Sequence, residues 1–328
     1  MKFDSSKIKK ILVISLSNVG DVILTFPVID ILKRDFPSSD LSVVVGPKAE
    51  ALFKDNPYIS RVYVFNKRQP ISHMIRWVFN LRKEGFDLVV DLRNTAIPFI
   101  LGAKYKTSPF VSSSKILHRK EKHLRRLKSV VDFVLPSKER FALHVTDKDR
   151  SYVQNLFKSH MPSNEKFVVV GPGAANHIKR WREEGFSQIC DKIIEDYKMQ
   201  IVFVGDDADK EVVFRIKDQM KNKGIDFSGQ TSLGQLAEIL RRSVFVIAND
   251  SAIMHMASYL DVPVLAIFGP TDSNKYGPWS SKSYVVKKTG LFCAPCEKSG
   301  CAYHHECMEY IEPQEILEKI KTMIKELC

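Results

Sequence analysis

Two doubly wound α/β lobes are predicted by three observations. Short apolar runs rich in β-branched residues alternate with stretches of helical period, the alternation breaks once near mid-chain and resumes, and 328 residues exceed what one hydrophobic core usually serves. In the first half, 11–16, 41–45, 62–65 and 88–90 read as strands, and 22–35, 47–54 and 72–84 as helices. The pattern stops near 136–140. After the polar segment 146–149 and a helix through His160, strands resume at 167–170, 201–204, 244–248 and 264–268. This places the lobes at 1–150 and 151–328, facing a central cleft, with the terminal helix free to cross back to the first lobe.

A content of 44% hydrophobic and 27% charged residues excludes a disordered or low-complexity chain. No apolar run reaches the roughly 18 residues that a membrane span requires, and the N-terminus lacks a signal-peptide cleavage pattern. A cytoplasmic protein is therefore expected, with any membrane contact peripheral. The net charge of +12 favours an anionic partner but does not choose between nucleic acid, phospholipid and phosphorylated sugar. A Walker phosphate loop, a strand-linked G-x-G-x-x-G and recognised nucleic-acid motifs are all missing, which argues against nucleotide hydrolysis, dinucleotide redox chemistry and a nucleic-acid partner.

Ligands of such sheets gather beyond the carboxyl ends of the strands. The turns there read Ser17-Asn18-Val19-Gly20-Asp21, Gly171-Pro172-Gly173, Gly205-Asp206-Asp207 and Asn249-Asp250-Ser251. Asp250 and Ser251 precede a helix whose free amides and aligned dipoles suit a diphosphate, with the Ser251 hydroxyl as a further donor. Asp21, Asp250 and Ser251 equally suit helix capping, Asp21 for a helix beginning at Val22. His255, one turn into its helix, reads as an interior residue or as a donor contact. Ser17 and Asn18 are candidate substrate contacts.

Three segments, ILVISLSNVGDVILTFPVIDILKRDFP, GPGAANHIKRWREEGF and ANDSAIMHMASYLDVPVLAIFGPTDSNKYGP, occur in this order. Together they resemble glycosyltransferase family 9, the ADP-heptose:lipopolysaccharide heptosyltransferases. Gly20-Asp21 match the family's opening signature, Lys179 and Trp181 its Lys-x-Trp motif, and Asp250, Ser251 and His255 its Asp-(Ser/Thr)-Gly-x-x-His motif, followed by Phe-Gly-Pro-Thr-Asp. The resemblance implies a GT-B fold and an inverting, metal-independent transfer of heptose from ADP-heptose to the lipopolysaccharide inner core. It implies Asp21 as the base for the acceptor hydroxyl and Lys179 as the cation that stabilises the leaving diphosphate. Gly20, Gly173, Asn176, Ser251, Ala252 and His255 would line the donor site, and Glu211 matches an acidic position that binds the donor's ribose. Glu211 would otherwise complement a helix dipole. Two positions depart from the pattern: Asn176 stands where many relatives have Arg, and Ala252 replaces Gly, which disfavours a close backbone approach or positive φ there.

Two further features stand apart. Residues 115–128 hold seven Lys or Arg, two His and one Glu, while Leu124, Leu127, Val131 and Val134 keep a helical apolar stripe. Such a basic amphipathic helix suits an anionic acceptor, the anionic membrane bearing it, or simply a solvated face. Cys293, Cys296, Cys301 and Cys307 cluster as C-x2-C-x4-C-x5-C, with His304 and His305 between, whereas Cys190 and Cys328 are isolated. The cluster reads as a structural zinc site, as free thiols or as an oxidisable group. Asp147-Lys148-Asp149 matches an Asp-x-Asp metal motif in form, but helix N-capping accounts for it.

A monomer is expected, with a nucleotide sugar and a lipopolysaccharide acceptor as partners and no cofactor required for catalysis. Rival readings are the same fold with another nucleotide sugar or glycan acceptor, and a non-catalytic protein that binds nucleotide sugars or glycolipid.

Overall fold

The structure, a computed structural model, describes residues 7–108, 118–135, 139–161 and 165–327. Cys328, residues 115–117 of the basic segment and 136–138 of the mid-chain break lie outside the described residues. The chain divides into two compact units, Met1–His144 and Val145–Cys328.

The first unit runs β1 (Lys10–Ile14), α1 (Val19–Ile23), α2 (Phe26–Asp35), β2 (Asp40–Val45), β3 (Arg61–Val64), α3 (Ile71–Arg82), β4 (Leu88–Asp91), α4 (Ile97–Leu101), β5 (Tyr105–Lys106) and α5 (Arg119–Lys128). Its strands pair in parallel in the order β3-β2-β1-β4-β5. In the centre Ile11 registers with Leu41 on one side and Leu88 on the other. The central strands are buried on both faces, so their residues form continuous apolar runs instead of alternating.

The single helix expected over 22–35 is two helices. Pro27 stands in the first turn of α2 and cannot donate the backbone bond that a continuous helix needs there. At the break the buried Thr25 hydroxyl donates to Val22 O at 2.6 Å and lies 2.8 Å from Ser15 Oγ. The helix expected over 47–54 is a 3-10 turn, Pro47–Phe53. The basic helix α5 ends at Lys128, so Val131 and Val134 lie beyond it. Leu124, Leu127 and Val131 are buried, and its apolar side is therefore covered by the protein itself. The unit's last segment is pinned by Asp30, which accepts the amides of Phe141 and Ala142 at 2.7 and 2.9 Å, and by Asn56, whose Nδ2 donates to the carbonyls of the same two residues.

The second unit contains α6 (Asp147–His160), β6 (Phe167–Gly171), α7 (Glu183–Tyr197), β7 (Gln200–Phe203), α8 (Lys210–Gln219), β8 (Ile225–Asp226), α9 (Leu233–Arg242), β9 (Val246–Asn249), α10 (Ala252–Tyr259), β10 (Val264–Phe268), α11 (Ser273–Tyr276), β11 (Tyr284–Lys287), α12 (Glu306–Glu309) and α13 (Pro313–Leu327). Six parallel strands lie in the order β11-β10-β9-β6-β7-β8. The edge strands β8 and β11 were not foreseen, because neither is a long apolar run.

Thr146, rather than an aspartate, caps α6, and Asp149 returns the bond to complete a capping box. The helix packs on α9 and sets Phe157 against Phe167 and Phe227. It therefore belongs to the second unit, and the division falls before it. The terminal helix packs on α7 and β11. There it buries Ile316, Ile320, Met323 and Ile324 in the second unit's own core.

On the inner side of α5, His123 is buried and its Nδ1 has no hydrogen-bond partner among the described residues. Burial, with the nearby cations of Arg119 and Arg126, pushes its pKa down to about 3. The unfolded chain takes up this proton below about pH 6.5, while the folded protein resists it until about pH 3. Between those values the unfolded state binds more protons, so this group costs stability as pH falls, by up to about 1.4 kcal/mol per unit. Denaturant titrations at pH values of about 6 and about 4.5 should show a smaller acid loss in His123→Phe than in the wild type. Equal losses would mean that His123 titrates normally.

Candidate functional site

In the second unit the site grows from the carboxyl ends of β6 and β9. A Cβ at Gly171 would lie 2.8 Å from Ile253, and one at Gly173 would overlap the Asp209 carboxylate, so neither glycine of the Gly-Pro-Gly turn has room for a side chain. Beside it, Asn249 ends β9 fully buried. Its Nδ2 donates to Pro172 O at 2.7 Å and its Oδ1 accepts the Trp181 amide at 3.2 Å. The Trp181 indole is itself buried and donates to Ile311 O at 3.1 Å.

These anchors hold the short 3-10 turn His177–Lys179, in which Asn176 Oδ1 accepts the Ile178 amide at 3.3 Å. At its end Lys179 Nζ reaches Asp250 Oδ2 at 2.8 Å, the lysine partly exposed and the aspartate buried. The other Asp250 oxygen lies 3.9 Å from His255 Nε2, and the His255 ring stacks on Trp279. Lys179, Asp250 and His255 are thus brought together.

Asp250 and Ser251 do not cap α10 through their side chains. The Ser251 Oγ is buried and has no hydrogen-bond partner among the described residues. A buried hydroxyl left this way costs about 1–3 kcal/mol unless a ligand engages it. The hydroxyl stands at the start of a helix whose first amides also lack intrahelical acceptors. With the Lys179 ammonium, which commits one of its three donors to Asp250, this set suits an anion carrying several oxygens. Ala252 takes the first helical position without positive φ, so the Gly-to-Ala departure causes no backbone strain.

Other predicted residues stand elsewhere. Asn176 Nδ2 donates to Ser299 O at 3.0 Å, so its amide supports the loop. Glu211 is 81% exposed and pairs at 2.6 Å with Arg215, which also grips Glu183. Its contacts are those of a surface ion network. Asp209 was missed: it accepts the Asp206 amide at 3.2 Å, lies 3.6 Å from Arg180, and is pressed against the Gly173 turn. Burial raises its pKa above the usual carboxylate value. The Asp206-x-x-Asp209 spacing of a capping box was its available signal.

In the first unit the chain leaves β1 through Ser15–Asn18 into α1. Asn18, not Asp21, is the N-cap residue; Asp21 lies within the first turn, half-buried, and its Oδ2 accepts a hydrogen bond from Asn18 Nδ2 at 2.9 Å. The capping role for Asp21 is thereby removed. Gly20 lies in the same helical turn. Ser17 Oγ accepts from Arg93 Nη2 at 3.1 Å, and the same guanidinium reaches the carbonyls of Leu16 and Ser15. A Cβ at Gly46 would fall 2.7 Å from Ser17 Cα, so the next strand's turn also presses on this bend. Arg93 was not foreseen; its signal was a lone arginine two residues after the Asp91 that ends β4.

The zinc expectation needs correction. Cys293, Cys296, Cys301 and Cys307 line one cavity of about 580 Å³ together with His305. Among the described residues, however, no three His, Cys, Asp or Glu side chains converge as a metal site. Cys307 is buried, and burial with the three neighbouring thiols pushes its pKa up to about 11, so it keeps its proton at neutral pH. Cys301 is exposed, and its sulfur accepts the amides of Tyr303 and His305. The segment serves as a brace: Glu297 N bonds Pro270 O at 2.8 Å and Glu297 pairs with Lys275, while Cys307 and Met308 close over Gly269.

Lys179→Gln should weaken binding of a nucleoside diphosphate by about tenfold or more, because a charge-assisted contact is lost. Isothermal titration of the folded variant checks this. Unchanged affinity would remove Lys179 from the anion site.

The glycosyltransferase family 9 (heptosyltransferase) profile matches residues 74–306. Lipooligosaccharide heptosyltransferase 2 of Campylobacter jejuni is 24% identical over 313 residues, covering 93% of this chain and 96% of that protein. Lipopolysaccharide heptosyltransferase 3 of Escherichia coli K12 is 25% identical and covers 80% and 83%. Among solved structures, a family 9 glycosyl transferase from Veillonella parvula superposes with a TM-score of 0.81 at 24% identity, covering 97% of both chains. E. coli ADP-heptose lps heptosyltransferase II gives a TM-score of 0.75 at 21% identity, covering 97% of this chain and 99% of that one. The fold is that of the GT-B heptosyltransferases. The match over most of its length shows that the chain belongs to glycosyltransferase family 9 and is a glycosyltransferase.

Proposed function

We propose that this protein transfers heptose from ADP-heptose to a sugar hydroxyl of the lipopolysaccharide inner core, with inversion at the anomeric carbon. The observation that carries the reading is the anion-binding set of Lys179, Ser251 and the first amides of α10 in a chain of this family. Relatives named as heptosyltransferases of lipopolysaccharide or lipooligosaccharide, and a neighbour described as E. coli heptosyltransferase WaaC with ADP, support the donor and acceptor classes.

In this reading the first unit receives the acceptor and the second holds the donor. Asp21 accepts the proton of the acceptor hydroxyl as its oxygen bonds to the anomeric carbon. The bond from that carbon to the diphosphate oxygen breaks on the opposite side, and its electron pair leaves with ADP. Lys179, the Ser251 hydroxyl and the α10 amides stabilise the charge that develops on the departing diphosphate. Their cationic and dipolar help is sufficient without a divalent ion, so a chelator leaves the rate unchanged. The protein acts as a monomer at the cytoplasmic face of the membrane that carries the acceptor.

The test is a transfer assay with a truncated lipopolysaccharide acceptor and a panel of nucleotide sugars, read by product mass. ADP-heptose should be the preferred donor; preference for another sugar would leave the chemistry and change the substrate. Asp21→Asn should lower kcat by about 10²- to 10⁴-fold while donor affinity stays at the wild-type value. Wild-type turnover in that variant would exclude Asp21 as the base, and a wild type without turnover on any donor would identify a binding protein.

A further inference from the structure

We propose that the face formed by α3 and α4 docks the first unit onto an anionic phospholipid bilayer. Helix α3 is apolar on two sides. Val78 and Leu81 enter the core with Trp77 packed against them, which accounts for one side. Ile71, Ile75 and Phe79 repeat every four residues and form a line along the other, and they are 72%, 52% and 53% exposed. Helix α4 packs beside α3 and adds Phe99 and Ile100, also exposed. Five of the thirteen exposed large hydrophobic residues among the described residues therefore sit on two adjacent helices. Concentrated apolar exposure of this kind marks an interaction surface, whereas scattered single residues do not.

Charge chooses the occupant. No Asp or Glu occurs between Asp55 and Glu84, or between Asp91 and Glu121. The same stretches carry Lys67, Arg68, Arg76, Arg82, Lys83 and Lys104, all exposed. An apolar line on two helices that carry Arg76 and Arg82 and no carboxylate matches lipid, whose acyl region takes Ile and Phe while headgroup phosphates take Lys and Arg. A second copy of this chain fits poorly, since a symmetric contact through this face would set cation against cation. Helix α5 cannot insert in this way, because Leu124 and Leu127 are covered by the protein. Of the readings open for 115–128, only insertion of its apolar stripe is removed by this burial. Docking here would hold the first unit at the layer in which a lipid-anchored acceptor resides.

The test uses the full chain in flotation with vesicles of phosphatidylglycerol and phosphatidylethanolamine, and with vesicles of phosphatidylcholine alone. The wild type should bind the anionic vesicles and lose binding as salt rises from about 0.1 to about 0.5 M. Ile75→Ser combined with Phe79→Ser should weaken partitioning by about tenfold or more. Arg76→Gln combined with Lys83→Gln should weaken it and flatten the salt dependence. Both double variants should transfer sugar to a water-soluble acceptor at the wild-type rate, and vesicle binding is measured independently of any transfer. Three results would each overturn the proposal: no binding by the wild type, binding unaffected by the apolar substitutions, or sedimentation showing a wild-type dimer that Phe79→Ser dissociates.

Discussion

The second unit depends on one buried carboxamide. Asn249, fully enclosed at the end of β9, satisfies both of its polar ends on backbone groups that come from the loop after β6. Because a buried amide without partners is costly, these two bonds hold the Gly-Pro-Gly turn and Trp181 in a single arrangement. Lys179 lies between those anchors, two residues before Trp181. Its meeting with Asp250, the residue after Asn249, follows from that stitching.

The two units hold their candidate site residues differently. In the second, Lys179 and Asp250 form a partly buried ion pair beside an unengaged hydroxyl and a helix N-terminus, so binding an anion requires little rearrangement. In the first, Asp21 is oriented by Asn18, and the bend before it is gripped by the Arg93 guanidinium. Burial lowers the pKa of that guanidinium, yet an arginine stays charged at any physiological pH and so holds the carbonyls of the bend with charge-assisted bonds. A lysine could not span three acceptors in one plane.

The cysteine segment bears on the same centre from behind. Cys307 and Met308 press on Gly269, Glu297 bonds to Pro270, and Ser299 receives Asn176. It thus braces the loops after β6 and β10 through backbone bonds and packing. Cys307 contributes as a small apolar group that keeps its proton, as its elevated pKa requires.

The sequence by itself determined the two parallel sheets, the family and the turns that carry Asp21, Lys179, Asp250 and His255, because apolar runs, glycines and motif spacings are local properties of the chain. It also pointed to a terminal helix, but not to its bounds or to where it packs. Tertiary structure alone decided that Ser251 Oγ is left unengaged, that Glu211 pairs with Arg215 on the surface, that Asp209 and Arg93 support the site turns, and that four neighbouring cysteines do not converge on a metal. It likewise decided that α5 turns its apolar side inward while α3 exposes a second one. Each of these depends on which distant residues share a space, and side-chain partnership across a fold leaves no period or spacing in the sequence to read.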